Sequence, residues 1–386
     1  MTDYEYYSLL NGNIGWIREP YFAGETVAND GATVNKIVDN AAHDTKLRYV
    51  CRHTEVPKIP KRTPTLQKEI FVDYSMGMET NQHSTFEKIT FEIEGGMESG
   101  IFLYYTFGAS SNAVGGTPKI HTITPSPNRR RPSFCYIHQV NNTRASTSVN
   151  NKIIGCQVDK LTLSGKTGEA VKMSISCIGK QNIVSTTDLL HADNRASIDD
   201  LGQVFTLGMA RITVSAGDFA VLDDYDTTNM THAFSIESFD FTYSNNLQDE
   251  QWAVTNALDE YYATQRYVEK PTVTLKLTLR MADPLLIQKW NVIKNSGDIG
   301  VQTTLTLIMS RNATDNTDDI QLIFQRIRIE DFEYEGDDVL KCNVTFFGTD
   351  DAKASTNARY GCYAVVHDNI TSLGNTGKWY PYNVLS

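Results

Sequence analysis

The segment SGKTGE at residues 164–169 is the part of the chain that most resembles a chemical site, because glycine-rich loops with lysine and threonine can cradle phosphate. A phosphate-binding loop needs a glycine five residues before Gly165, where this chain has Lys160. Such a loop also leads into a helix, whereas the alternating run AVKMSIS follows here. We therefore predict a hairpin turn between two strands.

The other reactive side chains are not spaced as a catalytic or metal site. The eight histidines are scattered and form no HExxH motif. Two acidic groups lack the spacing of a calcium loop and are predicted to be solvated turns: Asp223, Asp224 and Asp226, and Asp315, Asp318 and Asp319. The basic run 129–131 is predicted to lie in a solvated loop or in a salt bridge between subunits. We predict no catalytic residue, no cofactor, no metal and no enzymatic activity.

Composition narrows the class of protein further. The 386 residues are 40% hydrophobic and carry a net charge of -11, which excludes a disordered chain and argues against a general nucleic-acid binder. No apolar run approaches the roughly 18 residues that span a bilayer, so no membrane association is expected. The first residues carry acids and no basic region, which predicts no signal peptide, and six cysteines without a CxxC pair favour a reducing compartment. We expect a soluble, acidic protein of about two domains that folds inside a cell.

Alternation of apolar and polar residues predicts a mainly β fold. In TFEKITFEIEG (85–95) and PTVTLKLTLR (271–280), apolar residues occupy every second position. This pattern is typical of antiparallel strands with one buried and one wet face. Helix signals are few: one is predicted after Pro284, where Asp283 can act as the N-cap, and another within 248–264.

Two stretches repeat the same order of elements, which predicts an internal duplication. Residues 161–165 (LTLSG) align with 332–336 (FEYEG), and the upstream strand 89–93 aligns with 275–279. In each case an apolar segment, the predicted helix, follows the upstream strand. The duplication predicts two tandem β-sandwich or barrel domains, each with a short α-helix, flanked by extended arms.

These observations define four segments. They are an N-terminal arm at 1–65, a first β-domain at 66–200, a second at 201–350 that repeats the first, and a C-terminal arm at 351–386. The segment RHTEVPKIPKRTPT (52–65) is proline-spaced and basic, which suits a chain lying along a partner. The C-terminal arm groups three aromatic residues within 379–382, and such aromatic ends usually need a covering surface.

Several stretches resemble the tail tube proteins of tailed bacterial and archaeal viruses. The strongest is IIGCQVDKLTLSGKTGEAVKMSISCIGK (153–180), which is similar to that family's hairpin. HTITPSPNRRRPSFCYIHQV (121–140) resembles the preceding segment, and ITFEIEGGMESGIFLYYTFGA (89–109) resembles the strand followed by an apolar helix. The second half resembles the family through the internal repeat, SIESFDFTYSNNL (235–247) and the helix after Pro284.

The resemblance implies a structural virion protein, the major subunit of a tail tube. Family members with one domain form rings of six copies, so a duplicated chain is expected to form a trimeric, pseudo-hexameric ring. Stacked rings would enclose the channel for genome passage. The implied partners are further copies of the chain, other tail proteins (tape measure, terminator, and baseplate or tip) and viral DNA held without specific binding. Assembly is expected in the host cytoplasm and the final location in the virion tail.

Two groups of residues are predicted to serve assembly. The polar faces of four alternating strands are expected to line the lumen: Lys88, Thr90, Glu92, Lys172, Ser174, Ser176, Thr274, Lys276, Thr278, Lys341, Asn343 and Thr345. The matched turns and the aromatic segments are expected to make contacts between subunits or rings: Lys166, Asp337, Asp338, Trp252, Tyr261, Trp379 and Tyr380. The lining faces hold more lysine than acid, so a negative bore would need acids from elsewhere.

Two other functions remain open from the sequence. Another β-rich virion protein, such as a capsid or tail-terminator subunit, would share the strands and the lack of a chemical site. A carbohydrate-binding β-sandwich would normally show clustered aromatics on one strand face, whereas the four tryptophans here are dispersed.

Overall fold

The structure is a computed structural model, and it describes sixteen stretches of the chain. They are residues 7–18, 48–49, 60–72, 78–113, 119–127, 131–142, 148–185, 204–214, 231–234, 236–248, 266–280, 303–311, 319–325, 327–335, 341–348 and 360–368.

The described residues form nineteen strands and one helix. The first half of the chain contains β1 (Tyr7–Arg18), β2 (Arg48–Tyr49), β3 (Lys61–Val72), β4 (Met78–Gly96), α1 (Ile101–Phe107), β5 (Gly108–Ala113), β6 (Lys119–Pro125), β7 (Phe134–Asn142), β8 (Ser148–Lys166), β9 (Lys172–Gly179) and β10 (Gln181–Ser185). The second half contains β11 (Thr206–Val214), β12 (Thr231–Phe234), β13 (Ile236–Ser244), β14 (Thr272–Arg280), β15 (Thr303–Ser310), β16 (Asp319–Phe324), β17 (Ile327–Glu335), β18 (Lys341–Gly348) and β19 (Tyr363–Asp368). The prediction of a mainly β fold is confirmed.

The larger of the two sheets contains an uninterrupted run of eight antiparallel strands. Its order is β3-β4-β9-β8-β13-β14-β18-β17. The same sheet continues from β8 through β7 to β1 and β2, and β10 pairs with β8 as well. Strand β8 therefore pairs with two different sets of strands along its length: β7 and β10, and β9 and β13.

Gly155 marks the point where β8 changes partners. Residues 148–154 and Cys156 pair with β7 or β10, whereas residues 157–166 pair with β9 or β13. The register against β7 shifts near this point, and Gly155 has a φ of 64°. A side chain disfavours that left-handed conformation, so glycine lets one long strand bend from one group of neighbours to the other.

The second sheet has seven strands in the order β12-β11-β15-β16-β19-β6-β5. Five of its strands come from the second half of the chain, whereas β5 and β6 come from the first half, and β6 pairs with β19. The hairpin of β5 and β6 therefore ties the first half of the chain to the second.

One hydrophobic cluster joins residues from both sheets and the helix. All seven residues of α1 are buried, and the Phe107 ring lies 4.6 Å from the Tyr243 ring of β13. Across the layers, the Phe241 and Phe324 rings lie 5.9 Å apart. Burial alternates along β18, which matches the predicted half-wet strands.

The apolar segment after β4 forms the predicted helix. Gly108 ends α1 in the left-handed conformation, and its N–H donates to the Tyr104 carbonyl. The counterpart predicted after Pro284, and the one predicted within 248–264, lie outside the described residues.

Parts of the two predicted arms are strands of the sheets. In the N-terminal segment, β1 pairs with β7 and buries Ile14 and Trp16. In the C-terminal segment, β19 pairs with both β16 and β6. The stretch YSLLNGNIGWIR interrupts its apolar residues with polar ones, so no clear alternation indicated a strand there.

Two predictions of solvated charge were wrong. Arg131 is 5% exposed and Asp319 is 1% exposed. Asp319 pairs with His367 of β19, and Gln321 Nε2 donates to its other carboxylate oxygen at 3.0 Å. Both charges can be buried because polar groups from distant parts of the chain meet them.

Candidate assembly surfaces

The predicted turn at 164–169 is confirmed as a hairpin turn. Lys166 ends β8, and Gly168 takes a φ of 82° in the exposed turn. The Glu169 N–H donates to the Lys166 carbonyl at 3.0 Å, and β9 begins at Lys172. The lysine and glycines therefore close a β-hairpin and do not lead into a helix.

The twelve residues predicted to line a lumen lie on the wet side of β4, β9, β14 and β18. Each is exposed or half-buried, whereas residues at the intervening positions, such as Ile89, Met173, Leu277 and Val344, are buried. These strands belong to the eight-stranded run, so the twelve side chains share one polar face. That this face lines a channel stays a prediction.

Strands β8, β13 and β17 add further residues to this face, which were not predicted from the sequence. They are Lys160, Thr162, Ser164, Ser238, Asp240, Thr242, Asp331 and Glu333. Alternation was visible in all three strands. The order of the strands was not, because pairing between residues distant in sequence leaves no periodic signal.

Positive and negative side chains are interleaved across the face. Asp240 lies opposite Lys276 on one side and Ser164 on the other, and Ser164 lies opposite Lys172. Near the end of the strands, Lys341 Nζ lies 2.6 Å from Glu237 Oε2. Opposite charges on neighbouring strands stabilise the sheet modestly and leave less free charge for a ligand.

The eight-stranded run ends in two strands that have one neighbour each within the described part of the chain. They are β3, which pairs with β4, and β17, which pairs with β18. Asp331 and Glu333 of β17 are exposed on the polar face, so the alternation along the strand places Tyr334 on the core side. Tyr334 is nevertheless 51% exposed. An exposed aromatic ring on the core side of an edge strand indicates a surface that a neighbour can cover.

A buried polar cluster holds the middle of the run together at the end of β13. Asn245 Nδ2 donates to the carbonyls of Val158 in β8, at 2.8 Å, and Thr106 in α1, at 3.0 Å. Its Oδ1 accepts from Arg131 Nε at 2.9 Å. Burial lowers the pKa of the Arg131 guanidinium, an effect that the neighbouring Tyr243 opposes.

Arg266 supports the end of the hairpin in a similar way. Its guanidinium is buried and donates to the carbonyls of Gly155 and Ile178, both at 3.3 Å, and of Gly179 at 2.7 Å. One side chain thus satisfies backbone acceptors at the bend of β8 and at the end of β9. The sequence offered no signal for this role, since the acceptors are main-chain atoms.

The other predicted contact residues are located as follows. Lys166 is exposed at the end of β8, opposite Ser238 of β13. Asp337, Asp338, Trp252, Tyr261, Trp379 and Tyr380 lie outside the described residues.

The described part of the chain has no group of three or more His, Cys, Asp or Glu residues that could hold a metal ion. No helix in the described part of the chain is long and apolar enough to cross a membrane.

The buried thiols are expected to resist alkylation in the folded protein. Burial raises the pKa of the Cys342 thiol to about 11, and burial, with the charge of Asp159, raises that of Cys177. Since the thiolate is the nucleophile, iodoacetamide at about pH 8.5 should modify both at least ~100-fold more slowly than in the urea-unfolded chain. Peptide mass spectrometry measures both rates. Equal rates in the folded and unfolded protein would contradict this prediction.

The fold and its polar face define a class: a β-rich protein with a shared core and a sheet whose two end strands have one described neighbour each. A family model for phage tail tube proteins matches residues 71–325, about two thirds of the chain. The chain belongs to this family, as its motifs predicted. A search of curated proteins finds no match.

Membership of the family makes this chain a structural protein of the viral tail tube and places it in the virion tail. The match begins within β3 and ends just before β17. It therefore includes five of the eight strands in the run and part of a sixth.

Proposed function

We propose that three copies of the chain close a ring in which each copy contributes its eight-stranded run to a continuous inner barrel. The observation that carries the proposal is that the run ends in β3 and β17, each with one described neighbour. Closing the sheet with further copies removes both edges, which otherwise invite uncontrolled pairing. Rings repeated along an axis then form a tube.

The order of strands supports a trimer. The run divides into β3-β4-β9-β8 and β13-β14-β18-β17, and the aligned stretches of the sequence occupy matching places in the two groups. Each group would be one sixth of the ring, and the groups would belong to the tandem domains at about 66–200 and 201–350. Three chains then supply the six positions that six single-domain copies fill in other members of the family.

The polar face would line the channel. Because lysines and acids are interleaved on it, a DNA phosphate meets no extended basic track, and the DNA can slide without tight binding. The overall charge of -11 acts in the same direction. This mixed lining replaces the acidic bore that the net charge alone suggested.

Contacts between rings would come from segments outside the barrel. The segment between β13 and β14 carries Trp252 and Tyr261, and the C-terminal end carries Trp379 and Tyr380. These aromatic side chains would be covered by the next ring of subunits, which the N-terminal end would also reach. Lys166 would alternate around the ring with Asp337 and Asp338 and disfavour wrong registers through like-charge repulsion. Other tail proteins would bind the two ends of the tube, after assembly in the host cytoplasm.

Electron microscopy of the purified chain tests the proposal. We expect annular particles and stacked tubes with an open centre, and averaged end views with threefold symmetry and six similar lobes. Mass photometry of single rings should give three times 43.3 kDa. A stable monomer across a wide concentration range would overturn the ring, and rings of six chains would overturn the trimer.

A further inference from the structure

We propose that the contact between chains copies the contact within the chain: β17 of one copy pairs antiparallel with β3 of the next, with position 335 opposite position 61. This inference rests on the proposed ring and assigns the strands and register that close it. Within one chain, β8 ends the first group of four strands and pairs with β13, which begins the second. Strand β17 ends the second group, and β3 begins the first.

We call the pairing of β8 with β13 within one chain the internal joint. Its register supplies the geometry of the proposed contact between chains. Strands β8 and β13 pair antiparallel over seven residues, from Lys160 opposite Ser244 to Lys166 opposite Ser238. On the core side, Leu163 lies opposite Phe241, and both are 0% exposed. The joint is therefore a continuous piece of sheet with a complete core beneath it.

The sequence alignment shows which residues of β17 correspond to the residues of β8 in the internal joint. Leu161 corresponds to Phe332, Leu163 to Tyr334 and Ser164 to Glu335. Leu163 is buried beneath β13, whereas Tyr334 is 51% exposed. The same position is thus covered where the joint exists and open where the neighbour would be another chain.

Strand pairing shows which residues of β3 correspond to those of β13, because β3 pairs with β4 as β13 pairs with β14. Thr90 of β4 corresponds to Lys276 of β14 in the alignment. Lys61 lies opposite Thr90, and Asp240 lies opposite Lys276. Lys61 therefore holds the place in the first group that Asp240 holds in the second.

The correspondence of β17 with β8 and that of β3 with β13 together define the register between chains. Asp240 lies opposite Ser164 in the internal joint, so Lys61 would lie opposite Glu335 of the neighbouring copy. On the polar face, the pairs between copies would be Glu335 with Lys61, Glu333 with Thr63 and Asp331 with Thr65.

Charge supports this assignment independently of the alignment. Strand β17 places Asp331 and Glu333, both exposed, on the wet side of its edge. Exposed Lys61 begins β3, in the basic segment 52–65 that is predicted to lie along a partner. The corresponding residues of β8, Lys160 and Thr162, carry no negative charge. An acidic edge that meets Lys61 favours contact between unlike edges, and repulsion disfavours contact between two copies of the acidic edge.

Disulfide trapping tests the register. In a Lys61→Cys/Glu335→Cys variant, the two thiols would lie directly opposite each other, at a separation that a disulfide bridges. Mild oxidation of assembled protein should give covalent trimers as the main species on a denaturing gel. The Lys61→Cys/Glu333→Cys variant displaces one thiol by two residues and should cross-link several-fold less. Each single-cysteine variant and the wild type measure the background.

Charge reversal tests the same pair without covalent trapping. Lys61→Glu and Glu335→Lys alone should each weaken ring assembly by roughly tenfold, and the double reversal should restore most of it. The Lys61→Glu variant should keep the thermal unfolding midpoint of the wild-type chain, since position 61 is exposed in the single chain.

The outcomes separate this inference from the proposed function. If wild-type rings form but the opposite-position variant cross-links no better than the displaced one, the register is wrong and the ring stands. If no rings form at all, both fail. Preferential trimers of the displaced variant would likewise overturn the assigned register.

Discussion

The Asn245→Ala variant is expected to lose about 3 kcal/mol of unfolding free energy, the largest stability effect that we expect from a single polar side chain. The change removes three hydrogen bonds, to Arg131, Thr106 and Val158, at the place where β8 meets β13. Arg131 is buried, so its guanidinium cannot recover the lost acceptor from bulk water.

Chemical denaturation at low protein concentration measures the effect in the unassembled chain. Gln248→Ala is the matched control, because that side chain is exposed three residues away and should change stability by no more than about 0.5 kcal/mol. Similar midpoints for the two variants would show that the cluster does not hold the joint.

The Gly179→Ala variant is expected to destabilise the chain by about 2–3 kcal/mol through a steric clash. A Cβ at this position would lie 2.2 Å from Cγ2 of Ile153, which is 0% exposed. The backbone cannot easily move away, since the Gly179 carbonyl accepts from buried Arg266 at 2.7 Å. Something in a closely packed region must therefore shift.

A double-mutant cycle identifies the clash as the cause. Ile153→Ala removes the offending Cγ2, so the Gly179→Ala change should cost at least about 1 kcal/mol less in that background. Gly168→Ala serves as the control for backbone strain alone: its φ is 82° and no heavy atom lies within 4 Å of the added Cβ, so about 1 kcal/mol is expected. Strict additivity at Gly179 and Ile153 would refute the proposed contact.

Strands with one wet face were predictable, whereas strands buried along both faces were not. Alternation revealed β4, β9, β14 and β18, because their polar residues meet solvent at every second position. In β8, residues 152–158 are all buried, so the period-2 pattern disappears where the strand passes between two groups of neighbours.

The polar residues that hold the joint were not predictable for a different reason. Asn245, Arg131 and Arg266 bind mostly backbone carbonyls or each other across long stretches of sequence. A carbonyl has no residue identity, so no motif records the pairing. The run of three arginines at 129–131 even favoured a solvated loop, although Arg131 is in the core. The polar face, by contrast, was predicted from alternation, although the three strands that complete it were not assigned to it.

The hairpin of β5 and β6 makes the six joints of the proposed ring mechanically unequal. It crosses from the first half of the chain to β19 of the second half, so it fastens each joint within a chain a second time. A tube under bending or shear should therefore separate first at the three contacts between chains in each ring. It should release whole chains, and the contacts within each chain should stay intact.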